Sequence, residues 1–388
     1  MKKVLIAALA TAFAAPAASY AATSNVDIYG RFAATYNVMN TDTSVAGQDK
    51  TLYQVSSDNS YIGFKGSEDL GGGLKAIWQI ESGFNADNGN NNLSTSLGSG
   101  NFSSGLRNTF VGLSSNDYGT LLLGKHDTPY KMATGKLDVF SNEPADYRNV
   151  IGNMDGVSLF AQRPGNVIAY VTPNFAGFSV VAAYVAGNEI GTTSAPNADA
   201  WSVAGIYNNG PIYATVAYER HNNIYVSAGN GVDNHAWKAG VGYDFGPGKV
   251  GLIYEDATAA TGLLTNFTPV AGATTTSRSA VLLDGAYNVT GNIVLKASWG
   301  HLGNMGNSAT GNTGANSYAV GADYVFSKRT KLIAQYQKVS NDSHAGYGVG
   351  FGTNAYYAYG NGGYGVGATT GAAGNSPSII SVGLVHTF

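Results

Sequence analysis

The chain has no cysteine, and charged residues make up only 12% of its 388 positions. Without cysteine there is no disulfide framework and no thiolate metal centre, so stability must come from burial and backbone pairing. A charged share about half that of an ordinary soluble domain is too small to cover a conventional water-facing surface. The formal charge of −3 is far from the strongly basic balance that nucleic-acid binding favours, so no nucleic-acid partner is expected. Beyond the N-terminal apolar segment there is no run of the ~20 apolar residues that a membrane-spanning helix needs. The six histidines, His126, His221 and His301 among them, lack the spacing of a metal site. No Ser-His-acid set and no catalytic carboxylate pair stands out. The string Gly360-Asn361-Gly362-Gly363 does not join a strand to a helix, as a phosphate-binding loop would. The expectation is no metal, no cofactor and no enzymatic chemistry.

What the chain has in abundance is tyrosine, 25 residues, and glycine, 53, at a mean hydropathy of −0.06. A near-zero average results when each strand turns one face to lipid and the other to water. The N-terminus has the parts of an export signal: basic Met1–Lys3, apolar Val4–Ala15, then small Ser19 and Ala21 where a signal peptidase reads. Residues 1–21 are expected to be a cleaved signal peptide, leaving 22–388 as one domain. At the other end Ile380, Val382, Leu384, His386 and Phe388 alternate with Ile379, Ser381, Gly383, Val385 and Thr387. Period two is the mark of a half-buried strand, and an aromatic at its tip suits a membrane–water interface.

The same alternation recurs along the chain. Strands are expected near Val26–Val38, Tyr61–Glu68, Leu74–Phe84, Leu106–Leu113, Thr120–Lys125, Asn166–Thr172, Phe178–Ala186 and Trp201–Tyr207. They continue near Ile212–His221, Ala236–Phe245, Val250–Glu255, Ala280–Tyr287, Ile293–Gly300, Tyr318–Phe326 and Lys331–Val339, with a last strand from Ser378. Short turns rich in Gly, Asn, Asp and Pro alternate with long loops rich in Gly, Asn, Ser and Thr. This predicts an all-β, 16-stranded antiparallel transmembrane β-barrel with short periplasmic turns and long extracellular loops. Rows such as Trp237, Ala239, Val241, Tyr243 and Phe245 are apolar on one face alone, which argues against a soluble sandwich.

A barrel of this size encloses water. Its third long connection, His126–Gly165, holds Asp127, Asp138, Glu143, Asp146 and Asp155 beside Lys131, Lys136, Arg148 and Arg163. Position alone leaves open a solvated outer loop or an inward fold that constricts the pore. Phasing the first five strands by their apolar rows points Arg31, Lys65, Lys75, Arg107 and Lys125 inward, with Glu81 the main acid. Arg or Lys facing lipid at mid-depth costs ~2–4 kcal/mol, whereas the lumen accepts it. A basic wall facing an acidic inserted loop sets a transverse field that favours polar solutes. Inward basics and acids, loop three included, total about the same, so weak ion selectivity is expected. The Tyr-rich eighth loop, Ser340–Ser376, reads as a surface loop of low complexity.

The stretch YIGFKGSEDLGGGLKAIWQIESGFN from Tyr61 resembles the second hairpin of general-diffusion porins of Gram-negative bacteria, of beta-proteobacterial type. VDIYGRF from Val26, FVGLSSNDYGTLLLGK from Phe110, RPGNVIAYVTPNFAGF from Arg163 and VGLVHTF from Val382 are similar to the same family. The resemblance spans essentially all of residues 22–388. It implies a homotrimer with loop three folded into the pore and Arg31, Lys65, Lys75, Arg107 and Lys125 as a basic constriction wall. It also implies passive, size-limited passage of small hydrophilic solutes and ions, with a substrate-selective channel for sugars or organic anions as the alternative. Outer-membrane lipids, lipopolysaccharide and the barrel-assembly machinery are the further implied partners, with Phe388 as the assembly signal. Two departures stand out: Lys125 replaces the arginine of a common Gly-Arg pair, and Asn142-Glu143-Pro144-Ala145-Asp146 replaces a Pro-Glu-Phe-Gly stretch.

Overall fold

The computed structural model describes residues 25–42, 51–84, 87, 105–187, 198–227, 230–264, 267–350 and 373–388. The expected signal peptide and most of loop eight lie outside the described residues. Sixteen strands form the wall. β1 is Asn25–Asn40, and β2 comes in two segments, Thr51–Ser57 and Tyr61–Gly71. β3 to β8 are Leu74–Gly83, Thr109–Ser115, Gly119–Lys125, Val167–Val171, Phe178–Val185 and Asp199–Asn209. β9 to β12 are Ile212–Ser227, Asn230–Asp244, Gly248–Ala260 and Thr275–Asn288. β13 to β16 are Ile293–Leu302, Ala315–Ser327, Thr330–Asn341 and Ser378–Thr387.

Each strand pairs antiparallel with the next, and β16 returns to β1 in a register running from Arg31↔Thr387 to Asn40↔Ser378. That closing seam removes the free edges that an open sheet would expose in lipid. Both segments of β2 pair with β1, Ala34 opposite Ser57 and Arg31 opposite Tyr61, so they form one barrel strand with a break at Asp58–Ser60. Asn59 sits in the left-handed region there, at φ 50°. Phe388 extends the seam, exchanging backbone hydrogen bonds with Gly30 at 3.0 and 3.1 Å.

The alternation seen in the sequence is realised as two environments. On β10, Trp237, Val241 and Tyr243 are exposed to the outside, while Ala236 and Lys238 are fully buried within. Outward aromatic pairs such as Trp201–Tyr218 and Trp237–Tyr254, with centroids 5.0 and 5.2 Å apart, fit the interfacial girdle of a membrane barrel. Among the described residues no helix is long and apolar enough to cross a membrane; the strands do the crossing.

Strand boundaries differ from the sequence expectation mostly at the long-loop ends. β9 runs to Ser227 rather than His221, β11 to Ala260 rather than Glu255, and β12 starts at Thr275 rather than Ala280. Thr51–Ser57, expected in the first loop, is strand. Above the lipid, both faces of a strand meet water or loop, so backbone pairing continues after the apolar alternation has faded.

Candidate functional site

The third loop, between Lys125 and Val167, lies inside the barrel, and its short elements explain how. Helix α1, Pro129–Thr134, starts where the Thr128 hydroxyl accepts the Lys131 N–H and proline occupies the first turn without losing a hydrogen bond. Tyr130 and Ala133 on this helix are completely buried. Beyond it a 3-10 turn, Tyr147–Asn149, is capped by Asp146, and a two-residue hairpin pairs Asn153–Met154 with Val157–Ser158.

The loop leans on the wall formed by β8 to β15. The Tyr130 hydroxyl donates to Glu255 at 2.7 Å, and the Tyr130 N–H donates to the Ser202 hydroxyl at 2.9 Å. Glu255 also accepts the Gly152 N–H at 2.9 Å and pairs with Arg278 at 3.2 Å, both side chains being wholly buried. Arg278 in turn donates to the carbonyls of Val150, at 2.9 Å, and Asn153. Farther along, Glu143 bonds Lys296 at 2.5 Å and Lys331 at 2.6 Å, and both lysines also meet Asp323, at 2.9 and 2.8 Å. Two carboxylates and two ammonium groups thus neutralise one another behind the loop. At the tip, Arg31 reaches from β1 to the Asn142 carbonyl at 3.1 Å, and it also donates to the Asp58 carbonyl at the break in β2.

The five loop acids therefore occupy distinct places. Asp127 sits at the loop base, pairing with Lys131 at 2.8 Å and Arg163 at 3.0 Å. Burial works to raise its carboxyl, but Lys131 and Arg163 outweigh that and hold it well below the usual carboxylate range. Asp138 accepts the N–H groups of Phe140 and Tyr147, at 2.9 and 3.3 Å, and burial, reinforced by Asp146 and Asp284, pushes it well up. Glu143 belongs to the ion quartet. Asp146 holds Arg148 through two bonds of 2.7 Å, and Asp155 accepts the Gly346 N–H at 2.9 Å. Asp138, Glu143, Asp146 and Asp155 are each 5% exposed or less. The loop basics Lys131, Lys136, Arg148 and Arg163 all keep partial or full access to solvent.

On the opposite wall, Tyr29 donates to Glu81 at 3.0 Å, and Arg107 forms an ion pair with the same carboxylate. Arg107 stacks over Tyr61 at 4.7 Å from the ring centre, and Lys65 lies over Tyr29 at 5.2 Å. The structure brings Arg31, Lys65 and Arg107 to this one wall with Glu81. Lys125 donates to the Arg163 carbonyl at 2.9 Å and so faces the loop base. Lys75 sits opposite Asp69, one residue into β3 from the short turn, and does not join them. Sequence reasoning missed Arg278, because β12 starts five residues earlier than its apolar row suggested. Its signal was the phase it shares with Ala280, Leu282 and Asp284, all buried. It also missed Tyr29, Tyr61 and Tyr130, since lumen-facing tyrosines look the same in sequence as lipid-facing ones.

Comparisons with known proteins agree with this architecture. Residues 5–344 match the family model described as Gram-negative porin. The major outer membrane protein P.IB of Neisseria meningitidis serogroup B is 30% identical over 348 residues, covering 86% of this chain and 92% of that protein. An anion-selective porin from Comamonas acidovorans superimposes with a TM-score of 0.72 at 23% identity, covering 94% of this chain and all of that one. OmpT of Vibrio cholerae, solved in a trimer form, gives a TM-score of 0.64 at 15% identity, covering 94% of this chain and 99% of that one.

Proposed function

Given that the chain belongs to the Gram-negative porin family, we propose how its pore sorts what it passes. The protein is an outer-membrane general-diffusion porin: a closed, water-filled barrel through which small solutes move passively. The narrow zone is the gap between loop three and the wall carrying Arg31, Lys65 and Arg107, with Lys125 at the loop base and Lys75 at the short-turn rim. In this reading the pore is weakly selective and favours anions. One observation carries it: Glu143, the loop acid that reaches the far wall, is cancelled there by Lys296 and Lys331, whereas the facing wall gathers Arg31, Lys65 and Arg107 around Glu81. A carboxylate neutralised behind the loop contributes little to the field in front of it, because its charge is cancelled within a few ångströms. The anion selectivity named for the Comamonas acidovorans neighbour supports the same sign.

The same proposal includes assembly as a homotrimer, in line with the OmpT trimer form. It further includes export by residues 1–21, recognition of the Phe388 end by the barrel-assembly machinery, and an outer face in contact with lipid and lipopolysaccharide. Light scattering in mild detergent tests the trimer. The pore reading is tested by the reversal potential of the reconstituted channel under a KCl gradient. A potential of the sign set by chloride is expected, and one set by potassium refutes it. Permeation of unrelated neutral solutes at rates fixed by size alone separates this pore from a substrate-selective channel.

A further inference from the structure

The wall behind loop three is notched where the loop touches it. A Cβ added at Gly240 would come within 2.5 Å of Leu137 Cδ1, and one at Gly242 within 2.6 Å of Leu137 Cδ2. One at Gly300 would meet Val150 Cγ2 at 2.6 Å, and one at Gly321 would meet Phe140 Cε1 at 2.9 Å. Leu137, Phe140 and Val150 are the loop's apolar anchors, each 5% exposed or less. These four glycines lie on three inward faces, β10, β13 and β14, and each socket is filled by a loop side chain. The backbone there is extended, so the glycines are not required by a turn or by positive φ; what they supply is room.

We propose that Gly240, Gly242, Gly300 and Gly321 are positioning residues that set the pore's size limit from behind, without touching any solute. The inference rests on the reading that loop three narrows the lumen. Carbon atoms pack at about 3.5–4.0 Å, so a methyl group at 2.6 Å must move its neighbour by about 1 Å. Val150 has no easy escape at Gly300, because a β-branched side chain is stiff about χ1 and both its methyls face the socket, at 2.6 and 3.1 Å. Leu137 is held from two sides, one methyl against each of Gly240 and Gly242. The wall is a continuous hydrogen-bonded ladder, while the loop is held by side chains. The loop is therefore the part that yields, and it yields toward the lumen.

The test is Gly300→Ala and Gly321→Ala, singly and together, measured in planar bilayers and in liposome swelling with neutral solutes of graded size. Gly205→Ala is the control, since a Cβ there meets nothing closer than Val216 Cγ1 at 3.8 Å. A shift of about 1 Å across an aperture that passes hydrated solutes, roughly 6–8 Å wide, lowers single-channel conductance about 1.2-fold. The double variant should fall further, and the largest permeant solutes should slow most. The reversal potential should stay unchanged, because no lumen charge has been altered. A merely structural defect would lower the yield of channels and leave the size ranking intact. Val150→Ala combined with Gly300→Ala should return conductance to the parent value, and the same rescue applies if Gly300→Ala alone does not assemble. Parental conductance and size ranking in both single variants, a rise in conductance, or failure of the rescue pair overturns the proposal. If the parent itself shows no size-limited conductance, the pore reading fails instead, and the two failures are thereby separated.

Discussion

Glu143→Gln removes one charge from the buried quartet and little else, since glutamine keeps the shape and one acceptor oxygen. Lys296 and Lys331 would then share Asp323 alone, leaving one ammonium uncompensated beside a lysine that is 6% exposed. Breaking a buried ion pair by removing one partner costs about 3–5 kcal/mol, and the lower end applies because Lys331 is about one-third open to solvent. The barrel ladder makes no use of Glu143, so this cost falls on the docked state of the loop. A loss of about 3 kcal/mol raises the undocked population about 10²-fold. Single-channel recordings should show marked open-state noise, and brief openings to a higher level, at the same holding potential where the parent is quiet. Glu143→Gln with Lys296→Gln leaves Lys331 and Asp323 balanced, so the double variant should be quieter than the single one, a coupling read by a double-mutant cycle. A Glu143→Gln channel as quiet as the parent, or a double variant noisier than the single, would show that the quartet does not hold the loop.

Replacing Arg31, Lys65 and Arg107 together with glutamine should move the reversal potential toward cations, because Glu81 is then left without its arginine partner on that wall. No movement under a KCl gradient would remove these residues from the narrow zone. Deleting Phe388 should reduce the amount of barrel in the outer membrane far more than it lowers the melting temperature of what is assembled. The residue is 45% exposed, so its burial contributes only part of what a fully buried phenylalanine would, and normal outer-membrane levels would dismiss it as a signal. Asp127 is held below its unfolded value, so its stabilisation of the loop base is present above pH ~4 and is lost only as acid passes its folded value. Asp127→Asn should therefore add channel noise at pH 7, and a variant as quiet as the parent would contradict the assignment.

The strand rhythm made the barrel readable because lipid imposes it. Every second residue of a spanning strand must be apolar, so Trp237, Val241 and Tyr243 declare their face without any knowledge of their neighbours. Inward charges were readable by the same rule applied in reverse, as Arg31 and Lys65 show. The rule lapses where the strand leaves the lipid, which is why Arg278 and the Thr51–Ser57 segment escaped. Inside the loop no period exists at all. Glu143 and Lys136 look alike as surface charges, yet one is locked in an ion quartet and the other is open to the lumen.

The sequence by itself determined the class of molecule, the number of strands and the faces on which charge is tolerated, because these follow from local alternation and from the cost of polar groups in lipid. Only the tertiary structure decided which wall the loop rests on, which of its charges are cancelled and how far it reaches into the lumen. Those outcomes depend on contacts such as Glu143 with Lys296 and Val150 with Gly300, between residues about 150 positions apart, and a chain carries no local trace of partners that closure of the barrel alone brings together.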